Sequence, residues 1–326
     1  MAAAPAPPLL VVLTGPTGSG KSECALRLAT LLTGRLPVEI VSVDSAQVYH
    51  GMDIGTAKPD RAIRERVPHH LIDIRDPAQS YSAGDFVRDA HAAIAAIHAR
   101  RALPLLVGGT MLYLHALREG LAGLPRGSAP IRHEIEALAA ARGWPAVHAE
   151  LARVDGAAAA RIGAHDRQRL QRALEVYRLT GVPISHWQAR TEGARAQFRW
   201  LRFALWPGSR VQLRQRLQAR FDAMLRAGLL DEVRTLYARG DLTPQHASMR
   251  AVGYRQLWEY CAARVSLEEA CASAITATAQ LAKRQLTWLR RDREMTLIGD
   301  IAVGVLETLG EQILDGARHD RCSAGC

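Results

Sequence analysis

The sequence lacks any long apolar run. No stretch approaches the ~20 consecutive apolar residues that a helix needs to cross a bilayer. The opening stretch MAAAPAPPLLVVLTG has no basic region of the kind that starts a secretory leader. Its apolar part runs straight into a glycine-rich loop, so it reads as a short disordered lead into a buried strand. Cysteine is scarce and scattered, at Cys24, Cys261, Cys271, Cys322 and Cys326, with no CxxC pair. Cys322 and Cys326 lie near His319, but one histidine beside two terminal thiols is a poor zinc site. Free thiols in a reducing cytoplasm are expected instead. Acids are also in deficit: 32 Asp and Glu against 42 Lys and Arg leave a net charge of +10. Such an excess favours polyanionic partners, nucleic acid among them. Alone it decides little, because an Arg-rich composition also arises from genomic bias. There is no tandem repeat, no guanine-specificity motif of the NKxD type, and no clear kinase lid pattern.

What is present is enough apolar sequence, 48% of 326 residues, to build one large core or two smaller ones. LLVVLT (9–14), the loop GPTGSGKS (15–22) and ECALRLATLL (23–32) read as strand, loop and helix. VEIVSVD (38–44) reads as a second buried strand ending on an acid. RDAHAAIAAIHARR (88–101) is helical, and LPLLVGGT (103–110) is a third strand ending on Gly-Gly-Thr. Strands alternating with helices predict a parallel α/β sheet, whose ligands sit at the carboxyl ends of its strands. Residues 125–197 are Ala- and Arg-rich and helical, between the flexible boundaries LAGLPRGSAP and TEGARAQ. FRWLRFALW (198–206) restores strand character. Ser209 precedes a long helix, and Ser266 with Glu269 fits a capping box opening another. The expected architecture is therefore a P-loop NTPase-like α/β core, a parallel sheet flanked by helices, with an all-helical insertion. Its segments are 1–124 (core), 125–197 (insertion), 198–316 (core with C-terminal helices) and 317–326 (disordered tail).

Gly15, Gly20, Lys21 and Ser22 match G-x-x-x-x-G-K-[ST] in the strand–loop–helix context that motif requires. The glycines let backbone N–H groups turn toward a diphosphate, the helix start adds a favourable dipole, and Lys21 adds a point charge. The Ser22 hydroxyl suits Mg²⁺. The loop recognises a diphosphate and its metal, not a base. Asp44, at a strand end, has three readings: a magnesium ligand, a turn-capping acid, or a carboxylate that takes a proton from a substrate amine.

The stretches GPTGSGKS, SVDSAQVYHGMDIGTAKP (42–59), PHHLIDI (68–74) and PLLVGGTMLYLHAL (104–117) resemble successive motifs of the bacterial tRNA dimethylallyltransferases. So do DRQRLQRALEVYRLTG (166–181), RFDAMLRAGLLDEV (220–233), RAVGYRQLWEY (250–260) and AKRQLTWLRR (282–291). They occur in family order over about residues 9–298. The resemblance implies transfer of a dimethylallyl group from dimethylallyl diphosphate to the exocyclic amine of adenosine 37. That adenosine lies beside the anticodon of tRNAs reading codons that begin with U. It implies that Gly15, Pro16, Thr17, Gly18, Ser19, Gly20, Lys21 and Ser22 hold the diphosphate, with Ser22 on Mg²⁺, and that Arg220 helps. It makes Asp44 the general base and puts Asp44, Ser45, Ala46, Gln47 and Thr110 at the tRNA adenine, so the catalytic set is Asp44, Lys21, Arg220 and Thr110. Further tRNA contacts follow at Arg132, at Gln168, Arg169, Leu170, Gln171 and Arg172, and at Arg250, Ala251, Val252, Gly253, Tyr254 and Arg255. The last group is Lys283, Arg284, Gln285, Leu286, Thr287, Trp288, Leu289 and Arg290. The partners implied are tRNA and dimethylallyl diphosphate, with no membrane; a cytoplasmic monomer is expected. Eukaryotic relatives carry an added zinc finger, for which there is no pattern here. Gly18 stands where many relatives have Ala.

The residues' own physics bears on these assignments. Arg220 lies three residues after Leu217 and four before Met224, on the border of an apolar helical stripe. An inward Arg there wants an anion, although a snorkelling Arg or an internal ion pair explains the position too. Arg284, Trp288 and Arg291 share one helical face, and Lys283, Thr287 and Arg290 another. That suits phosphates and a stacked base, or a solvated face with Trp288 turned into the core. Leu170, Leu174 and Tyr177 read as core, leaving Arg169 and Arg172 nearer the surface. Two other classes explain part of the pattern: a P-loop kinase of a small metabolite, and a non-enzymatic, nucleotide-switched RNA-binding protein.

Overall fold

The computed structural model describes residues 7–189, 197–299 and 303–323. The N-terminal lead (1–6), the boundary TEGARA (191–196) and Cys326 lie outside them.

Six strands form one sheet, all parallel, in the order β3-β2-β4-β1-β5-β6. They are β1 (Leu9–Thr14), β2 (Val38–Val43), β3 (His69–His70), β4 (Leu103–Gly108), β5 (Arg199–Leu205) and β6 (Thr296–Ile298). β1, β2 and β4 are buried along their whole length. Near-continuous Leu and Val suits them because helices cover both faces of a parallel sheet. β3 and β6, two and three residues long, are edge strands too short to carry a period of their own. Neither is expected from the sequence.

Registers align the functional loops. Thr14 pairs with Gly108, and Val43 pairs with Gly108 as well. The loop after β1, the acid after β2 and the Gly-Thr turn after β4 therefore leave the sheet side by side. α1 (Lys21–Leu32) starts from Gly20, whose φ of 86° is a left-handed value that suits glycine. It packs Cys24, Ala25, Leu28 and Leu32 into the main core. α2 (Arg61–Arg66) is capped by Asp60, and α3 (Ala83–Ala99) opens with a Ser82–Asp85 capping box. α4 (Met111–Glu119) follows the Gly-Thr turn.

The chain divides into two compact units, residues 1–115 with 196–326, and residues 116–195. The second unit holds α5 (Ala129–Arg142), α6 (Trp144–Val154), α7 (Gly156–Ala159), α8 (Arg167–Thr180) and α9 (Ile184–Ala189), with no strand among its described residues. Ile135, Val147, Leu151, Leu170, Leu174 and Val176 form its core.

In the first unit, Ser209 caps α10 (Arg210–Arg226), which is followed by α11 (Leu229–Ala238) and α12 (Tyr254–Cys261). Ser266 and Glu269 form the expected capping box of α13 (Leu267–Leu289). The last element corrects an expectation: residues 317–323, read as a disordered tail, belong to α14 (Val303–Ser323). That helix is anchored by Leu306, Leu309, Ile313 and Leu314, buried in the main core. Arg199 donates to the Gly316 carbonyl, and Arg318 pairs with Asp315 one turn back. A helix anchored in this way continues through Gly316.

Candidate active site

Lys21, Ser22, Ser42, Asp44 and Gln47 line one pocket at the carboxyl end of β2 and β4. Apolar side chains line it as well: Ala25 and Leu26 from α1, Ile40 from β2, Ile63 and Val107. The P-loop builds one side. Gly18 has a φ of 77°, and a Cβ there would come within 2.7 Å of Leu217 Cδ2 on α10. Loop and helix therefore close on each other, and α10 delivers Arg220 to the site. The Ser19 hydroxyl is buried in this loop without a hydrogen-bond partner, which is costly unless a ligand supplies one.

Charge is concentrated here. Burial pushes the Lys21 ammonium down to about 8; Asp44 acts to raise it and Arg220 to lower it. Burial lowers Arg220 as well, and Asp44 opposes that. Two partly desolvated cations around one carboxylate form a site that gains from an added dianion. Asp44 itself is held in a turn: its Oδ1 accepts from Ala46 N at 2.8 Å and Gln47 N at 3.3 Å. Gln47 is fixed in turn by Ser42 Oγ at 2.8 Å and by the carbonyls of Thr56 and Ala57. Thr110 Oγ1 accepts from Ser45 N at 3.1 Å, and its own N–H donates to the Val43 carbonyl.

The sequence-named residues divide by where the fold puts them. Asp44, Lys21, Ser22, Arg220 and Thr110 are brought together. On α13, Lys283, Arg284, Thr287 and Trp288 are exposed, as is Arg290 just after it. Trp288 is 42% exposed, with the His115 ring edge-on at 5.7 Å, so it is not turned into the core. Arg290 lies over the Trp206 ring. Gln285, Leu286 and Leu289 are buried: their side chains face the protein, at the positions that continue the buried stripe with Ala282. Leu170, Gly253 and Tyr254 are buried too. In the helical unit, Arg132 and Arg172 both bond the fully buried Glu175, at 2.8 and 2.7 Å. Burial acts to raise that carboxyl, but the two arginines hold it below the ordinary range. Arg172 also donates to the Pro125 carbonyl. Arg169 and Gln168 remain exposed.

Two residues at the site were not read from sequence. Lys58 lines the pocket with its side chain only 2% exposed, tied to Asp53, Asp73 and the Tyr49 carbonyl. Glu232 on α11 accepts the N–H groups of Asp53, Ile54 and Gly55. Glu232, an acid in a helix's first turn, carried no signal of this role. Among the described residues, no cluster of three or more His, Cys, Asp or Glu could hold a metal ion.

The profile of the family described as IPP transferase matches residues 47–292. A tRNA dimethylallyltransferase of Bordetella pertussis is 51% identical, over 95% of this chain and 99% of its own length. One of Thioalkalivibrio sulfidiphilus is 55% identical over 88% of each. Among solved structures, the full-length tRNA isopentenylpyrophosphate transferase of Bacillus halodurans is 36% identical with a TM-score of 0.69, covering 96% of this chain and 98% of that one. A eukaryotic dimethylallyltransferase acting on tRNA is 26% identical with a TM-score of 0.75, covering 94% of this chain and 77% of its own. With a parallel sheet whose first strand runs into a P-loop sequence and whose second ends on an acid, and with identity of this extent, the chain belongs to the IPP transferase family.

Proposed function

We propose that this protein transfers a dimethylallyl group from dimethylallyl diphosphate to the exocyclic amine of adenosine 37 of tRNA. The observation that carries the reading is the convergence of Lys21, Arg220 and Asp44 beside the P-loop, next to a pocket lined in part by apolar side chains. Such a lining suits a ligand that joins a hydrocarbon to a diphosphate.

The amine nitrogen attacks the allylic carbon as the carbon–oxygen bond to diphosphate breaks. The leaving oxygen takes the bonding pair, and its charge is met by the loop N–H groups, Lys21 and Arg220. The amine is a weak nucleophile because its lone pair is delocalised into the ring. Asp44 accepts its proton as the new bond forms. Thr110, bonded to Ser45, holds the acceptor-side turn. The adenine must leave its stack to reach this site, and exclusion of water protects the allylic donor from hydrolysis.

A magnesium ion fits the donor set. The Ser22 hydroxyl at the start of α1 lines the pocket, and magnesium prefers few protein ligands plus phosphate oxygens and water. When bound, it neutralises charge on the departing diphosphate.

Exposed Arg284, Trp288 and Lys283 on α13, and Arg169 on α8, are the proposed tRNA contacts. No described helix is long and apolar enough to cross a membrane. A monomer is proposed. The decisive assay incubates the protein with Mg²⁺, dimethylallyl diphosphate and unmodified tRNA, then examines digested nucleosides by mass. Gain of one five-carbon unit on adenosine is expected. Phosphorylation of a small acceptor with ATP, and no allyl transfer, would replace this reading with a kinase.

A further inference from the structure

Gln285 comes from the segment that resembles tRNA-contacting sequence, yet it faces inward and is 8% exposed. Its Oε1 accepts the Thr17 N–H of the P-loop at 2.9 Å. Its Nε2 donates to the Gly109 carbonyl at 2.8 Å. One amide thus spans two loops, 268 and 176 residues away in sequence. Gly109 makes room for it: a Cβ there would lie 2.5 Å from Gln285 Nε2.

The two loops belong to opposite halves of the reaction. Thr17 is in the loop that holds the leaving group. Gly109 precedes Thr110, whose hydroxyl accepts from Ser45 N, beside Asp44. On the α13 side, Leu286 and Ala282 pack against Leu213 and Leu217 of α10, the helix that carries Arg220. A buried amide with both ends satisfied is a rigid link.

We infer that Gln285 is a positioning residue that fixes the donor loop against the acceptor-side turn, and so sets the approach of amine to allylic carbon. This rests on the transferase reading above. Gln285 touches neither substrate. It acts through Thr17 and through Gly109–Thr110, so its removal degrades alignment more than binding.

The test uses the full chain with three substitutions. Gln285→Leu removes both bonds at similar volume. Gln285→Glu keeps an acceptor for Thr17 but loses the donor to Gly109. Gly109→Ala pushes the amide away from the other side. Each is measured for single-turnover transfer at saturating dimethylallyl diphosphate and tRNA, for pyrophosphate and tRNA affinity, and for melting temperature. Gln285→Leu is expected to slow transfer about 10- to 100-fold while both affinities stay within about 3-fold, the signature of lost alignment and not of lost binding. Gln285→Glu and Gly109→Ala should show the same split. Wild-type transfer rates in Gln285→Glu and Gly109→Ala overturn the inference, whatever Gln285→Leu does to folding. So does a fall in affinity that matches the fall in rate. Absence of transfer by the unaltered protein would defeat the functional reading itself, a result distinguishable from failure of the variants alone.

Discussion

Lys21 shows how one residue's function sets its stability. Burial lowers its ammonium from 10.5 to about 8. Between those two values the folded state holds fewer protons than the unfolded chain, so stability contributed at this site rises with pH through that window. Below about 8 both states are charged, and the folded protein carries the full desolvation penalty. Lys21→Met should therefore raise the melting temperature of the ligand-free protein at pH 7, with the gain shrinking toward pH 10.5. Pyrophosphate should stabilise the wild type but hardly the variant. Thermal melts across pH, with and without pyrophosphate, check both; a lower melting temperature for the variant would mean the ammonium is already compensated. Asp44 behaves differently. Asp44→Asn still accepts from Ala46 N and Gln47 N, so the turn survives while the proton acceptor is lost. Transfer should fall by about 10²–10⁴-fold, the usual weight of a general base. Binding of pyrophosphate and tRNA should persist, measured by titration. Near-normal turnover would remove Asp44 as the base.

At the scale of elements, a loop and a helix hold the site together. Three successive N–H groups, Asp53 to Gly55, converge on the Glu232 carboxylate, which the Tyr254 hydroxyl also donates to. The same loop returns the Thr56 and Ala57 carbonyls to Gln47, whose N–H bonds Asp44. α11 thus braces the turn that presents the acid. Glu232→Ala should speed hydrogen exchange of the Asp53–Gly55 amides and lower transfer, with exchange elsewhere in the sheet unchanged. Protection at wild-type levels would show that Lys58, through Asp53 and Asp73, holds the loop alone. This brace was not legible in the sequence, because it joins residues 179 apart. The helix caps were legible. Ser209 and Ser266 each bond a backbone N–H three residues on, and that chemistry is local.

For the whole molecule, the question is where the net charge of +10 acts. Many arginines are already engaged: Arg132 and Arg172 with Glu175, Arg202 with Asp292 and Glu294, and Arg239 with Asp76 and Asp241. The exposed Lys283, Arg284 and Arg291 of the α13 region are different, beside the open Trp288. Replacing Arg284 and Arg291 with Ala should lower the slope of log affinity for tRNA against log salt by roughly 0.7–0.9 for each phosphate that these side chains neutralise. An unchanged slope would put the tRNA backbone elsewhere.

The sequence by itself determined the parallel α/β core, the P-loop, Asp44 at a strand end, the helix caps and the family. Each depends on contiguous residues: a buried strand's apolar run, a glycine loop's spacing, a cap three residues from its partner. Tertiary structure alone decided that Gln285 links two loops, that Glu232 braces a third, that Arg132 and Arg172 serve a buried Glu175, and that residues 317–323 continue a helix. These depend on packing between residues far apart in the chain. Hydrophobic period marks which face of a helix turns inward, but only the packed neighbour decides what a polar side chain on that face will bond.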